Sequence, residues 1–250
     1  MNGSAHLTGG QPRDTAGGTR AHLYWVWCNL HYAWKAQANW GWLTLAVALA
    51  VVFLLLLGDA FRPPGAPRST ADLAYLMEAF LPLGLALLLA RVPALDREIG
   101  AHELHLTWPF PPQLHLLRLT TVPALAWAAA GALLLLGAQL FYAPMDLRQA
   151  LDMALYPSLG LGGVALGGSA LARHQVGGVA TASLWWGVDL LKPGDLHRWG
   201  HLFPYARPLP DADPARLHLQ VLAVGLVGLA LSLWLAGRRE RWVTGTPPAE

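Results

Sequence analysis

Apolar residues in this chain are gathered into long, nearly unbroken runs, with the polar residues held between them. Runs near 40–58, 73–93, 119–141, 153–172 and 217–236 come close to or exceed the length of about 20 residues that a helix needs to cross hydrocarbon. A further run, 176–191, is shorter: its roughly 16 residues at about 1.5 Å each give about 24 Å against a hydrocarbon core near 30 Å. It is expected to be tilted, locally thinned or partly re-entrant. The pattern therefore predicts an all-α, polytopic membrane protein with six transmembrane helices.

Ahead of the first run, Leu23, Trp27, Leu30 and Trp34 recur at spacings of four, three and four and lie on one stripe of a helix. So many aromatics suit the membrane interface, and an N-terminal amphipathic interface helix is expected here. Trp25 and Tyr32 fall on its opposite side, so contact with protein as well as lipid, or simple extension of the first span, remains open. Residues 1–21 are rich in Gly, Thr and Ser without an apolar segment and read as a flexible tail, not a cleaved signal peptide. The organisation that follows is a tail at 1–21, a six-span domain at 22–241 and a second tail at 242–250.

Composition agrees with that pattern: 54% of residues are hydrophobic and 13% charged, outside the usual soluble range. The one cysteine, Cys28, excludes an internal disulfide. With an even number of spans both termini share a side, and that side collects ten of the 17 Lys and Arg residues, including Arg238, Arg239 and Arg241 beside the last span. Both termini are expected in the cytoplasm of a plasma membrane, a bacterial inner membrane being the natural setting, with the connections at 59–72, 142–152 and 192–216 outside. The last of these holds Trp199, Phe203 and Tyr205 among its prolines and reads as an ordered, membrane-skimming segment.

Most familiar chemistry is excluded or unsupported. Gly160, Gly162 and Ala165 spell a miniature dinucleotide fingerprint, but they lie in a span with no strand before them. No phosphate-binding GxxxxGK[ST] loop occurs, so the chain cannot bind ATP by that route. His197 with His201, and His102 with His105 and Glu103, lack further ligands for a metal, and no histidine sits centrally in a span as bis-histidine haem ligation would need. Ser169 has no histidine at a depth that would activate it, and no polar groups converge at mid-depth as an intramembrane enzyme requires. No catalytic residue and no metal ligand is assigned, and nothing suggests nucleic acid.

Two features remain inside the spans. Glu78 and Asp189 are intramembrane acids near the outer ends of their helices, where they either reach headgroups and water or serve a pathway as proton relay or substrate contact. Gly163 and Gly167 place small residues four apart, a face on which another helix can approach closely.

The long cytoplasmic connection carries the most distinctive stretch, "LDREIGAHELHLTWPFPPQLHLLRL" at 95–119. Asp96 is a fair N-cap and Glu98 favours a first turn electrostatically, so a short amphipathic helix from Asp96 to Leu106 is expected, ended by the prolines of "WPFPPQ". This rigid, charged knuckle resembles the first cytoplasmic loop of type-2 ABC transporter permeases at Glu98, Gly100, Glu103, Leu104, Thr107, Pro109 and Arg118. The plan of an interface helix, six spans and a re-entrant external segment between spans five and six also matches that family from about residue 22 to 241. The stiffening by Trp108, Pro111 and Pro112 and the presence of His102 and His105 depart from it.

The resemblance implies that the segment 94–118 couples to a separate cytoplasmic ABC ATPase, with Asp96, Arg97, Glu98, Gly100, Glu103, Leu104 and Pro109 as contact positions. It implies ATP and magnesium in that partner and no cofactor in this chain. It further implies a second permease copy, or a homologous permease, as the other half of an exporting pathway within the lipid bilayer. A non-transport assembly or anchoring protein, or a six-span intramembrane enzyme, are the alternatives.

Overall fold

In a computed structural model of the chain, the structure describes residues 27–28, 31, 76–95, 111–141, 146–192, 200–210 and 212–238. These are all helical or irregular, with no strand among the described residues. A π-turn at Leu76–Phe80 leads into α1, Leu81–Arg91, which tightens into a 3-10 turn at Val92–Ala94. Then follow α2, Pro112–Phe141; α3, Leu147–Ala172; α4, Gln175–Leu191; and α5, Pro214–Gly237.

Among the described residues, four stretches are long and apolar enough to cross a membrane: Met77–Ala94, Pro112–Leu136, Leu147–Ala172 and Pro214–Gly237. They correspond to four of the six runs and mark a membrane protein. The run at 176–191 forms α4, whose 17 residues reach about 26 Å, a little short of a hydrocarbon core near 30 Å. The run at 40–58, the interface helix apart from positions 27, 28 and 31, both tails and the 96–109 knuckle lie outside the described residues.

Local chemistry sets the helix ends. α2 begins at Pro112, seven residues before the apolar run at 119, because proline at the first helical position gives up no hydrogen bond and already holds the helical φ. Asp146 caps α3 by accepting from the Arg148 N–H at 3.2 Å, and Asp213 caps α5 by accepting from the Ala215 N–H at 3.1 Å, with Pro214 opening the helix. Between α3 and α4 the chain reverses in two residues. Arg173 takes the left-handed φ of 56° that usually falls to glycine, and His174 Nδ1 then accepts from the Val176 N–H at 3.1 Å to start α4.

α3 is the hub, packed against α1, α4 and α5. Its pairing with α5 is backbone on backbone. Gly160 lies against Val221, Gly163 against Gly225 and Gly167 against Gly228, so the two helices advance together and run parallel. A Cβ at Gly163 would collide with the Gly225 backbone, and one at Gly167 would stand 3.1 Å from Gly228 Cα. Without a hydrophobic force to drive helices together in lipid, such close contact supplies the van der Waals attraction that holds them. Gly168 meets α4 in the same manner through Gly177 and Thr181. The leucines that cannot fit such a seam turn outward, and Leu125, Leu133, Leu226 and Val227 are exposed.

Candidate functional site: two carboxylate–histidine pairs at one end of the bundle

α1 begins, α4 ends and α5 begins at the same end of the bundle, and residues 200–210 fold back into the space between them. His201, Leu202 and Phe203 are buried, Phe203 completely. Backbone N–H groups in such a segment cannot reach water and need acceptors. Two carboxylates from the helices supply them.

Glu78, in the π-turn, takes the Tyr205 N–H on Oε1 and Oε2 at 3.2 and 3.1 Å and the Ala206 N–H on Oε2 at 2.8 Å. Its Oε1 also meets His218 Nε2, in the second turn of α5, at 3.2 Å. Asp189, in the last turn of α4, takes the Leu202 N–H on Oδ2 at 2.7 Å and faces His201 Nδ1 through Oδ1 at 2.9 Å. All four ionisable side chains are fully buried.

Further bonds lock the same segment to the helix ends. His201 Nε2 meets the Arg207 carbonyl at 2.9 Å, and Arg207 Nη1 donates to the Leu190 carbonyl at 2.6 Å. Trp185 Nε1 donates to the Gly200 carbonyl at 2.8 Å, and Trp186 Nε1 to the Ala79 carbonyl at 2.7 Å, joining α4 both to the segment and to the π-turn. The His218 ring lies between Tyr156, stacked at 5.5 Å, and Tyr205, tilted at 5.4 Å.

Burial is the largest influence on His201 and by itself disfavours the imidazolium. The hydrogen bond and charge of Asp189, the Arg207 carbonyl and the more distant Glu78 carboxylate together outweigh it, so the ring keeps its proton to higher pH than an ordinary histidine. The Tyr205 phenol is held above its ordinary range, first by burial and then by the negative charges of Asp152, Glu78 and Asp213, with Arg148 opposing.

Chemically this arrangement binds backbone. Each carboxylate spends its lone pairs on amides and on one histidine, and among the described residues no group of three or more His, Cys, Asp or Glu could hold a metal ion. His201, weighed in the sequence as a metal partner of His197, is instead taken up by Asp189 and Arg207; His197 lies outside the described residues. Ser169 Oγ lies 3.5 Å from the Gln175 carbonyl and meets no histidine among its described hydrogen bonds.

Of the positions singled out from sequence, Glu78 and Asp189 fall within this cluster, where both are fully buried and bonded to protein groups. Gly163 and Gly167 lie on the α3–α5 seam away from it. Asp96, Arg97, Glu98, Gly100, Glu103, Leu104 and Pro109 lie outside the described residues. Sequence reasoning missed His218 and His201 as carboxylate partners. The available signal was that an acid inside an apolar run needs a partner, with His201 in the connection before the final helix and His218 in that helix's second turn. The polar groups do converge, at the end of the bundle and not at mid-depth. No family model matches the chain, and no curated protein matches it.

Proposed function

We propose that the chain is the membrane-spanning permease subunit of an ATP-driven transporter, of the type-2 ABC kind, and that it forms half of an export pathway. The observation that carries the reading is the folded segment 200–210 between the last two helices. It leaves the short α4, turns back among the helix ends and is anchored on Glu78 and Asp189, as a re-entrant external element between spans five and six would be. The motif at 95–119 supports the same plan from the sequence side.

In this reading the chain lies in the plasma membrane with both termini and the 96–109 knuckle in the cytoplasm, and pairs with a second permease. ATP binding closes a partner ATPase, which pushes the knuckle and favours one packing of the spans over another. The glycine seam of α3 and α5 makes that pair move as a unit, because backbones in direct contact leave no room for sliding.

The intramembrane-enzyme alternative draws some support from the buried acids and histidines, but both carboxylates are committed to backbone amides, which suits anchoring better than proton transfer to a substrate. The deciding experiment is affinity purification of the full chain from its native membrane in mild detergent, with identification of co-purifying chains. An ABC ATPase whose hydrolysis changes in the complex supports the proposal. A membrane preparation yielding the chain with no ATPase overturns it.

A further inference from the structure

His201 has two ring nitrogens, and both face acceptors: Asp189 Oδ1 at Nδ1 and the Arg207 carbonyl at Nε2, each at 2.9 Å. A carbonyl oxygen cannot donate, so Nε2 must carry a hydrogen. The contact between Nδ1 and Oδ1 then needs a second hydrogen, whichever of the two atoms owns it. The pair therefore holds two protons in the geometry observed. Remove one, and the neutral ring has a single hydrogen for two acceptors, so a nitrogen lone pair faces either the Asp189 carboxylate or the Arg207 carbonyl at 2.9 Å in a fully buried pair.

We infer that the Asp189–His201 pair is a proton-operated clasp: while it keeps both protons it fastens residues 200–207 to the end of α4, and loss of one releases them. The lever arm is short and fully specified. Asp189 also accepts from the Leu202 N–H at 2.7 Å, and Arg207, whose carbonyl His201 grips, reaches back to the Leu190 carbonyl. Repulsion at one contact therefore works on both ends of a seven-residue loop.

The charged and titratable groups that bear on His201 are Asp189 from α4, Arg207 from the segment itself and Glu78 from the π-turn, while Phe203 packs its ring edge-on at 6.5 Å. Asp189 and Glu78 favour the protonated ring and burial opposes it, with the carboxylates prevailing. Because the proton is held more tightly in the folded segment than in a solvated histidine, the clasp is fully fastened below the ordinary histidine value near 6.5 and opens as pH rises through the higher folded value. The inference does not rest on the transport reading. It concerns how the segment is held, whatever the chain carries.

Hydrogen exchange of the full chain in lipid nanodiscs, from about pH 5 to about pH 9 and corrected for intrinsic exchange, reads the clasp through the Leu202 amide. Protection of peptides covering 200–207 is expected to fall by about tenfold or more above neutral pH, while the α3 amides stay protected throughout. His201→Gln and Asp189→Asn, which cannot share the proton, should each give a profile without the step. His218→Gln, which alters the other buried pair, should keep it. A flat wild-type profile overturns the inference with no variant needed. A step that survives in both His201→Gln and Asp189→Asn, or vanishes in His218→Gln alone, also overturns it by moving the proton to the Glu78–His218 pair.

Discussion

Glu78 Oε2 accepts the backbone N–H of Ala206 at 2.8 Å, across 128 positions of sequence. A buried acid at the head of one helix thus holds the loop that precedes another, through two backbone amides and His218, with no Lys or Arg among its described hydrogen-bond partners.

Glu78→Ala should accordingly cost more than loss of a charge. It strips the acceptor from the Tyr205 and Ala206 N–H groups and from His218 Nε2, each stranded at about 1–3 kcal/mol when buried. Glu78→Gln keeps one carbonyl oxygen and should fall between. Thermal unfolding in detergent and protease nicking at 200–210 would check this, with the order wild type, Gln, Ala expected in both. Equal stability of Ala and wild type would mean the anchors contribute nothing.

The α3–α5 seam gives a second expectation. Gly163→Ala and Gly225→Ala place a methyl group against the opposing backbone and should destabilise by about 1–3 kcal/mol, because neither backbone can yield as a side chain would. Gly187→Ala, with nothing near its added carbon, should be neutral or slightly stabilising. Leu at Gly163 or Gly167 should disrupt packing outright, whereas Val164→Leu, at a half-buried position, should be mild. Melting temperatures of these variants in one detergent separate the cases. Identical behaviour of Gly163→Ala and Gly187→Ala would place α5 elsewhere.

How much of this was legible in the sequence depends on what lipid does to pattern. Apolar runs locate the helices, because every backbone group must be bonded within its own segment. They do not say which face is inside, since lipid accepts Leu as readily as a core does. In α5 Leu226 and Val227 face outward while Leu217, Val221 and Leu235 are buried beside Gly225 and Ser232. Large apolar residues therefore lie on both faces and small residues mark the close contact, so Gly163 and Gly167 are readable for that reason. The partners of Glu78 and Asp189 were not readable, because most of them are backbone amides, which every residue but proline carries. The boundaries moved for a simpler reason. Polar first turns such as 112–118 and 147–152 are helical through caps and prolines, outside the apolar runs.

Topology is open to direct test. In a Cys28→Ser background, cysteine at Arg173, in the α3–α4 turn, should label only from the cytoplasm, and cysteine at exposed Pro208 only from outside. α3 is about 39 Å long, enough to separate the turn at its end from the mouth where it starts. Labelling of position 208 from the cytoplasm alone would invert the arrangement and with it the assignment of 200–210 as external.

The coupling role proposed for 96–109 can be tested without touching the bundle. If Glu98 and Glu103 make polar contacts with a partner ATPase, the double change Glu98→Lys, Glu103→Lys reverses two charges at that contact. Such a reversal should cost about 2–5 kcal/mol where the acids are buried against basic groups, but under about 1 kcal/mol where they are solvated. Transport and ATPase activity of the complex should therefore fall by tenfold or more, since about 1.4 kcal/mol already corresponds to one decade. Val164→Leu serves as the control for a substitution remote from that loop. The informative measurement pairs membrane abundance with ATPase stimulation: a variant that reaches the membrane in normal amount yet no longer alters the partner's hydrolysis identifies the segment as the coupling element. Full stimulation by the doubly reversed chain would remove that role from 96–109 and leave the charged stretch as a solvated loop.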